Sequence, residues 1–506
     1  MNNLQEDIRS CVESHYPILY LTTFEEEDSD RMVEQLAAGR RIWEWNLSRG
    51  MVQFDTKTPL TEYMDLGAAV ENWLDQELSN HFLIVKDAHL ALRDDPIAIA
   101  RLKTLAHKIA YDDATVATVF LISPILYTPL ELEKFITVFE QETPEEDEIK
   151  QIVFDRARYH ETAVDGEDAA SLALAFRGLS RYEIVRLLDR GYQQDGSIGI
   201  EDMGLILTEK RQIVRKSGIL EMVPAPEEGM NTLGGLQELK AWLERKARIM
   251  KDLPAARAFG VDEPKGVMVV GAPGCGKSLT AKATAALFGL PLLRLDIGSL
   301  MGRYVGDSEA NMRRALKLAE AVSPCVLWVD EIEKAFAGVS GSGSDSQIAT
   351  RLFGYFLTWM QEKTRPVFVL ATANDISVLP PEFLRKGRLD EIFHIDLPNE
   401  MERAEILRVH MKARGKEDND VDVGEVARST KGFSGADLEN VVKDAVERAF
   451  LDKKCSLNTN LLLHSAGETV PLARVMEVKL KKLADELQSM EIRSASSSST
   501  KRPRGS

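Results

Sequence analysis

The segment 265–289 constrains the fold of this chain more than any other part of its sequence. Apolar and β-branched residues occupy 267–270, a glycine-rich stretch follows, and helix-forming residues continue from Lys277. This order predicts a strand, a tight loop and a helix, the unit from which parallel α/β sheets are built. The spacing G-x-x-x-x-G-K-[ST] is matched by Gly271, Gly276, Lys277 and Ser278. The sequence therefore predicts an α/β domain that binds phosphate at this loop.

The loop is predicted to bind a nucleoside triphosphate, because its backbone N–H groups and the positive end of the following helix attract phosphate. Lys277 is expected to reach the β- and γ-phosphates, and the Ser278 hydroxyl is expected to bind Mg²⁺. ATP and Mg²⁺ are therefore the predicted cofactors. The predicted ATP-binding residues of the loop are Gly271, Ala272, Pro273, Gly274, Cys275, Gly276, Lys277, Ser278 and Leu279.

Cys275 lies inside this loop and suggests a second, redox-dependent property. A helix N-terminus lowers the pKa of a nearby thiol, so oxidation of Cys275 is one hypothesis for the control of ATP binding. The alternative is that Cys275 only fills a position that any small residue could take.

Two carboxylates follow the apolar run at 325–329, namely Asp330 and Glu331. Charged groups at the end of a buried strand are unfavourable unless a cation or a reaction uses them. Asp330 is predicted to bind Mg²⁺, and Glu331 is predicted to act as the general base for the attacking water.

A third apolar run, 366–373, ends at Asn374. An amide at the tip of a neighbouring strand could hold the attacking water or a γ-phosphate oxygen. On the residues alone, a turn-forming asparagine in Asn374-Asp375 is the competing interpretation.

Beyond the loop, the chain resembles the AAA clade that includes the katanin, spastin, valosin-containing and proteasomal ATPases. The stretches that carry the resemblance are 231–236, 384–390, 406–410 and 432–438, in the order that the family has them. The resemblance favours the catalytic interpretation of Asn374. It also implies that backbone at Gly234 contacts adenine and that His410 contacts ribose or adenine. Gly435 and Ala436 are implied to belong to a helical lid that closes on the nucleotide.

The same resemblance implies an assembly, because Arg385 and Arg388 match arginines that reach the ATP site of a neighbouring subunit. A guanidinium supplied in this way stabilises the charge that spreads over the γ-phosphate oxygens. A homo-oligomeric ring follows, and a hexamer is the expected form. Without the resemblance, each arginine would be interpreted as a member of a surface ion pair.

Tyr304 and Val305, followed by Gly306, resemble the triplet with which the family grips a polypeptide in a central pore. An exposed aromatic ring can contact many side chains without sequence preference, which suits an unidentified protein client. The alternative is that Tyr304 packs under its own loop.

The first half of the chain repeats this order of elements without the catalytic groups. A run of carboxylates from Glu25 to Asp28 replaces the phosphate loop and would repel a triphosphate. The sequence aligns Asp87 with Asp330, which places Ala88 opposite Glu331. A constant offset of 257 residues further predicts Thr128 and Glu131 opposite the arginine pair.

The charge and composition of the chain limit the partners that can be expected for it. The formal net charge of −17 makes nucleic acid an unexpected partner, since that binding requires a local basic surface. No apolar run is long enough to span a membrane, and the four cysteines lack metal-ligand spacing. A cytoplasmic location is expected, or the plastid stroma, because the whole chain resembles a ycf-type AAA-domain family of red-algal plastids and cyanobacteria with a degenerate first copy.

The predicted fold class is α/β, with tandem AAA+-type P-loop modules that each combine a parallel sheet, flanking helices and a helical lid. The predicted segments are a degenerate α/β domain at 1–140, a lid-like region at 141–220, a linker at 221–230, the ATPase domain at 231–398, a lid with a C-terminal helix at 399–491, and a disordered tail at 492–506. The C-terminal helix is expected to pack on its own lid, and the alternative is that it binds a partner. The predicted function is ATP-driven remodelling or unfolding of a client protein. The alternative is a slow, nucleotide-switched regulatory or assembly scaffold.

Overall fold

The structure is a computed structural model in which the chain forms two compact units, residues 1–200 and 201–506. It describes residues 3–497 except 61–62, 113, 142, 225, 227–228, 301–306, 337–343, 381–382, 384, 386, 417–420, 453–455 and 491. Within this part of the chain, no helix combines the length and the apolar character that crossing a membrane requires.

The first unit is built on a sheet in which every strand except β3 runs parallel to its neighbours. Its strands are β1 (Ile18–Thr22), β2 (Arg41–Asn46), β3 (Gly50–Gln53), β4 (Ser79–Lys86), β5 (Val116–Ser123) and β6 (Ile136–Glu140). The order across the sheet is β3-β2-β4-β5-β1-β6. Near-continuous apolar runs such as β5 are buried along their length, as a parallel sheet covered on both faces requires.

Helices cover this sheet and continue into a helical region at the end of the unit. They are α1 (Asn3–Glu13), α2 (Glu26–Ala37), α3 (Leu66–Asp75), α4 (Ala88–Ala91), α5 (Pro96–Tyr111), α6 (Glu146–Tyr159), α7 (Gly166–Phe176) and α8 (Arg181–Asp195). Side chains that alternate along β1 belong to two different apolar clusters, which places one core on each face of the sheet.

The second unit contains the larger sheet. Its strands are β7 (Leu220–Val223), β8 (Gly266–Gly271), β9 (Leu292–Leu295), β10 (Cys325–Val329), β11 (Val367–Ala373), β12 (Glu391–Ile395) and β13 (Arg493–Ser494). The order is β13-β12-β8-β11-β10-β9-β7, with only β7 antiparallel among the described strands. Along β8, Met268 and Val270 pack on one face while Val267 and Val269 pack on the other.

The helices of the second unit flank the sheet up to residue 362, after which four helices form the lid and two further helices return to the sheet. They are α9 (Met203–Ser217), α10 (Gln237–Lys251), α11 (Leu253–Ala258), α12 (Lys277–Phe288), α13 (Ile297–Leu300), α14 (Asp307–Val322), α15 (Ser344–Glu362), α16 (Glu400–Lys412), α17 (Val423–Ser429), α18 (Gly435–Leu451), α19 (Thr459–Glu468), α20 (Leu472–Val475) and α21 (Glu477–Ser489). Helices α16 to α19 enclose a separate apolar core.

The two sheets share one topology. The order β6-β1-β5-β4-β2 of the first unit matches β12-β8-β11-β10-β9 of the second, strand for strand in sequence order. In both units three lid helices follow the last of these strands, α6 to α8 and α16 to α18. The prediction of tandem α/β modules is confirmed.

The positions of the helix caps correct the offset of 257 residues between the two copies. Helices α6 and α16 are capped by Glu145 and Asn399, and α8 and α18 by Ser180 and Ser434. The members of each pair are 254 positions apart. This spacing places Glu131 and Lys134, rather than Thr128 and Glu131, opposite the arginine pair.

Two segments expected to lie outside the modules contribute to the second sheet. The linker predicted at 221–230 begins inside β7, which pairs with β9 at the sheet edge. The predicted tail from 492 contains β13, and Ala495 directly after it is fully buried. Its carbonyl accepts hydrogen bonds from amides in the first turn of α10. Backbone groups at a sheet edge and at a helix N-terminus need partners, and these segments supply them.

The predicted C-terminal helix is divided into α20 and α21, which contact both the lid and the sheet domain. The backbone N–H groups of Leu472 and Ala473 donate to Asp437 and Gly432 of the lid, as packing on the lid predicts. The apolar side chains were not expected to reach the sheet: Leu483 and Leu487 contact one core of the sheet, and Leu472 and Leu480 contact the other.

Candidate nucleotide-binding site

The glycine-rich loop joins β8 to α12 and ends at Gly276, whose φ of +90° only glycine adopts without strain. Lys277 begins the helix and is 7% exposed. Its Nζ atom donates hydrogen bonds to the carbonyls of Gly271 at 2.7 Å and Ala272 at 2.8 Å. Burial lowers the pKa of Lys277, although nearby carboxylates act in the opposite direction. A buried ammonium group is thereby fixed at the base of the loop.

The first carboxylate, Asp330, follows β10 and is held from two neighbouring strands. The Thr372 hydroxyl donates to Oδ1 at 2.7 Å, and the Arg294 guanidinium donates to Oδ2 at 3.2 Å. The Glu331 backbone N–H donates to the same Thr372 hydroxyl at 3.0 Å. Thr372 thus aligns both acidic residues. Sequence analysis missed Thr372 and Arg294, although a hydroxyl and a cation inside apolar strands were visible signals.

Glu331 has a left-handed backbone, with φ of +48°, which turns its side chain away from the strand direction. The Asn374 side-chain amide donates to its Oε1 atom at 3.1 Å and to Glu333 at 2.8 Å. Lys334 forms an ion pair with Glu331. That pair, together with the Asn374 hydrogen bond, holds the pKa of Glu331 below its ordinary value, so the carboxylate is ionised at neutral pH.

These groups meet in a cleft of about 480 Å³ between the sheet and the lid. The sequence-predicted residues that line it are Gly234, Pro273, Gly274, Cys275, Gly276, Lys277, Ser278, Leu279, Asp330, Glu331, Asn374, His410, Gly435 and Ala436. Arg385 is exposed, and neither it nor Arg388 lines this cleft. Tyr304 and Val305 lie outside the described residues.

The end of the cleft away from the phosphate loop is formed by backbone and apolar side chains. A Cβ atom on Gly234 would lie 2.6 Å from the Ile406 side chain, so glycine permits this close approach. Burial lowers the pKa of His410, which keeps its imidazole neutral at pH 7. A neutral ring beside apolar groups suits contact with a flat base.

The lid is tied to the site at two points. The Ala436 N–H, in the first turn of α18, donates to the Gly274 carbonyl at 3.0 Å. Glu402 of α16 accepts from the amides of Leu236 at 3.3 Å and Asn399 at 3.0 Å, and is almost fully buried. Glu402 was also missed, although the Asn-x-x-Glu capping signature marks it in the sequence.

The expected low pKa of Cys275 is wrong. Its side chain is buried, and burial raises the pKa of the thiol to about 11 despite the nearby Lys277 charge. Loss of solvation for a thiolate outweighs the attraction of the helix end. The structure therefore supports the interpretation of Cys275 as a small space-filling residue.

The donor set fits Mg²⁺ that arrives with a nucleotide. Ser278 and Asp330 supply hard oxygen atoms, and Mg²⁺ commonly takes only one or two protein ligands beside phosphate oxygens and waters. Within the described residues no group of three or more His, Cys, Asp or Glu side chains forms a metal cage. Ser278 and Asp330 would hold the ion.

In the first unit, a lysine occupies the position that corresponds to Asp330. Asp87 has the same left-handed backbone as Glu331, with φ of +54°, and it follows the matching strand. The register therefore aligns Lys86, not Asp87, with Asp330, which corrects the alignment made from sequence. The Lys86 ammonium lies 2.9 Å from Asp30, 3.5 Å from Glu26 and 3.6 Å from Glu44.

Family models match both units. The model of the ATPase family associated with various cellular activities (AAA) matches residues 267–397, and an AAA+ lid domain matches 420–460. In the first unit, models of the N-terminal and second domains of SpoVK-like AAA ATPases match 4–141 and 147–217.

Similar proteins cover nearly the whole chain. The AAA domain-containing protein ycf46 of Guillardia theta is 36% identical over 504 residues, 97% of this chain and 96% of its own length. The corresponding protein of Pyropia yezoensis is 35% identical and covers 93% of this chain and 95% of its own. The Cell division cycle protein 48 homolog of Archaeoglobus fulgidus is 33% identical over 227 residues, 44% of this chain and 31% of that protein. With this identity sustained along almost its full length, the chain belongs to the ycf46 family of AAA domain-containing proteins, within the AAA+ class of ATPases.

Proposed function

We propose that this protein hydrolyses ATP in the cleft of its second unit, with Mg²⁺ as the metal. The observation that carries the proposal is the 3.1 Å hydrogen bond from Asn374 to Glu331 beside Asp330 and Lys277. Hydrolysis needs a base, a group that orients the base towards the attacking water, a phosphate-binding cation and a metal ligand. These four residues supply one group each.

The roles follow from position and charge. Glu331 is ionised and accepts a proton from the attacking water, while Asn374 fixes the orientation of the Glu331 carboxylate. Lys277 and the loop amides bind the phosphates. Mg²⁺, when bound, neutralises the charge on the phosphate oxygens.

The test is Glu331→Gln, which keeps the size of the side chain and removes the base. We expect ATP affinity within about threefold of wild type and turnover lower by about a hundredfold or more. Asp87→Asn is the matched control, because Asp87 has the same backbone position in the first unit and should leave turnover unchanged. Wild-type protein that binds no ATP with Mg²⁺ present would refute the proposal.

A ring-shaped homo-oligomer is a more specific proposal. It is supported by Arg385 and Arg388, which do not line the cleft of their own chain. Each would complete the site of a neighbouring subunit in a homo-oligomer, for which a hexamer is proposed. Mixing tests this idea: Arg388→Ala lacks the donated group, and Lys277→Ala lacks the site that receives it. Two variants that are inactive alone should recover measurable turnover together, and no recovery at any ratio would exclude donation between subunits.

Remodelling of a protein client is the finest level of the proposal, and it is supported by the Tyr304-Val305-Gly306 pattern alone. Tyr304→Ala should keep basal ATP turnover and abolish ATP-dependent unfolding of a folded reporter that carries an unstructured tag. Unfolding by Tyr304→Ala at the wild-type rate would remove the gripping role. Wild-type protein that turns over slowly and moves no reporter, but assembles on ATP, would support the scaffold alternative.

A further inference from the structure

A carboxylate lines the part of the cleft that the catalytic groups do not use. Glu439 lies on α18, and its side chain borders the same cleft as the phosphate loop and His410. The proposed catalytic roles use the carboxylates of Asp330 and Glu331, and none of them requires Glu439. A negative charge in a site for a polyanion is unfavourable unless it accepts hydrogen bonds from the ligand.

The position of Glu439 along the cleft identifies the part of the ligand that it meets. Ala436, three residues earlier on α18, donates through its N–H to Gly274 in the phosphate loop. Glu439 therefore lies about one helical turn, ~5 Å, beyond the phosphate-binding end. His410 and Gly234 also line the cleft, and Gly234 packs against Ile406, one turn before His410 on α16. We assign the base to this group of residues. The sugar of a nucleotide lies between its phosphates and its base, which is the level of Glu439.

The carboxylate is held in place by the lid. Arg414 donates to Glu439 Oε1 at 3.3 Å and to the His410 carbonyl at 3.1 Å. The guanidinium thereby links the end of α16 to α18 on one side of the cleft. A carboxylate accepts up to about four hydrogen bonds, so its contact with Arg414 leaves capacity for ligand hydroxyls.

We propose that Glu439 accepts hydrogen bonds from the ribose hydroxyls of the bound nucleotide and so makes the site selective for ribonucleotides over deoxyribonucleotides. The inference rests on the proposed ATPase function and deepens it by assigning the sugar contact. A carboxylate that binds a ribose hydroxyl is an established solution in dinucleotide-binding folds, reached here from a lid helix.

The experiment compares the affinities of the full-length protein for ATP, 2′-deoxy-ATP and 3′-deoxy-ATP with Mg²⁺ present. Wild type should prefer ATP over at least one deoxy form by about tenfold, as expected for hydrogen bonds to a charged acceptor. Glu439→Ala should weaken ATP binding by about tenfold and leave the deoxy form almost unaffected. The preference should therefore fall to about twofold or less. Glu439→Gln should restore part of it, because the amide oxygen still accepts.

Glu447, two turns further along α18 and outside the cleft lining, provides the matched control. Glu447→Gln should retain the wild-type preference. The ratio of ATP to GTP affinity should be unchanged in Glu439→Ala, since a general distortion of the pocket would alter both ratios. A variant that binds ATP and keeps the full sugar preference overturns the inference and leaves the ATPase proposal intact. Wild type that binds no adenine nucleotide would instead remove both.

Discussion

The two units have the same strand order and opposite charges at matched positions. In the second unit, Lys277 begins the helix after the first strand, and Asp330 follows β10 with Arg294 beside it. In the first unit the corresponding helix begins at Glu26, and register places Lys86 at the Asp330 position. Glu44 of β2 occupies the position that Arg294 has in β9. Glu44 pairs with Ile84, two residues before Lys86, and Arg294 pairs with Trp328, two residues before Asp330.

This reversal shows how a phosphate site can be lost while its fold is kept. The buried positions at the carboxyl ends of the strands remain polar in both units, and each charge keeps a partner. In the first unit the Lys86 ammonium is surrounded by carboxylates and pairs with Asp30 and Glu44. The cation that the second unit would obtain from bound Mg²⁺ is supplied in the first unit by a side chain. A fold can therefore be conserved when its ligand is replaced by an internal ion pair.

The largest expected effect is on ATP affinity, and it comes from the first residue of the helix that follows the first strand in each unit. Lys277→Met should reduce ATP affinity by about a hundredfold or more, because the lost ammonium group makes charge-assisted contacts with phosphate. Glu26→Gln, at the corresponding place in the first unit, should change ATP affinity by less than about twofold. Equilibrium binding of a fluorescent ATP analogue measures both. Comparable losses in the two variants would contradict the division of the chain into one binding and one silent unit.

The second effect concerns the ion cluster of the first unit. Lys86→Met should destabilise that unit by about 2–3 kcal/mol, because Asp30 and Glu44 would then share Lys57 as their remaining cation. Lys150→Met is the control, since solvent screens the ion pairs of Lys150 and the variant should keep nearly wild-type stability. Denaturant unfolding followed by hydrogen exchange in residues 1–200 distinguishes the units. Equal stability of the two variants would show that the Lys86 ion cluster does not stabilise the first unit.

The same cluster has a defined pH dependence. Burial alone would lower the pKa of Lys86, but its hydrogen bond with Asp30 and the charges of Asp30, Glu44 and Glu26 raise the pKa above its ordinary value. A lysine whose pKa is higher in the folded state stabilises the fold fully below its unfolded pKa. That stabilisation is lost only as the pH rises through the folded value. The Lys86 contribution should therefore persist across the neutral range and decline only in strong alkali.

Local patterns made much of the site predictable. The glycine-rich loop and Asp330-Glu331 lie in short, contiguous segments whose residues specify their own backbone, so their spacing predicted that they would lie at one cleft. The tandem fold followed from repeated apolar runs. The contacts of Arg294 and Thr372 with Asp330 could not be predicted in this way. They depend on the register between strands that are distant in sequence.

The errors have the same physical origin. An alignment of two amphipathic helices can slip by about one turn without changing its hydrophobic pattern, and the offset of 257 between α6 and α16 arose in this way. Only strand pairing and the helix caps fix the true spacing. Similarly, Arg493-Ser494 has no strand pattern of its own and is ordered as a strand because β12 offers unpaired backbone groups. Edge strands of this kind are determined by the sheet that they join.

A smaller effect is expected where both units use the same helix cap. Glu402 and Glu148 each complete a capping box, but only Glu402 also accepts from the amide of a residue outside its helix, Leu236. Glu402→Ala should destabilise the lid by about 2 kcal/mol, since it leaves two amides without an acceptor, and should also weaken ATP binding. Glu148→Ala should lower stability by about 1 kcal/mol or less. Hydrogen exchange of α16 and α6 checks the difference, which should vanish if the Leu236 contact has no effect.

The smallest difference concerns thiol chemistry. Because burial raises the pKa of Cys275 to about 11, only about one molecule in ten thousand carries a thiolate there at pH 7. Cys275→Ser should therefore change ATP affinity by less than about twofold, and mild peroxide should leave wild-type turnover unaffected. Cys11 of the first unit is only partly buried and serves as an internal reference. Alkylation followed by peptide mapping should modify Cys11 before Cys275, and the Cys275 rate should rise as the pH approaches 11. Rapid labelling of Cys275 at neutral pH would mean that the phosphate loop opens far more often than its hydrogen bonds to the Lys277 ammonium allow.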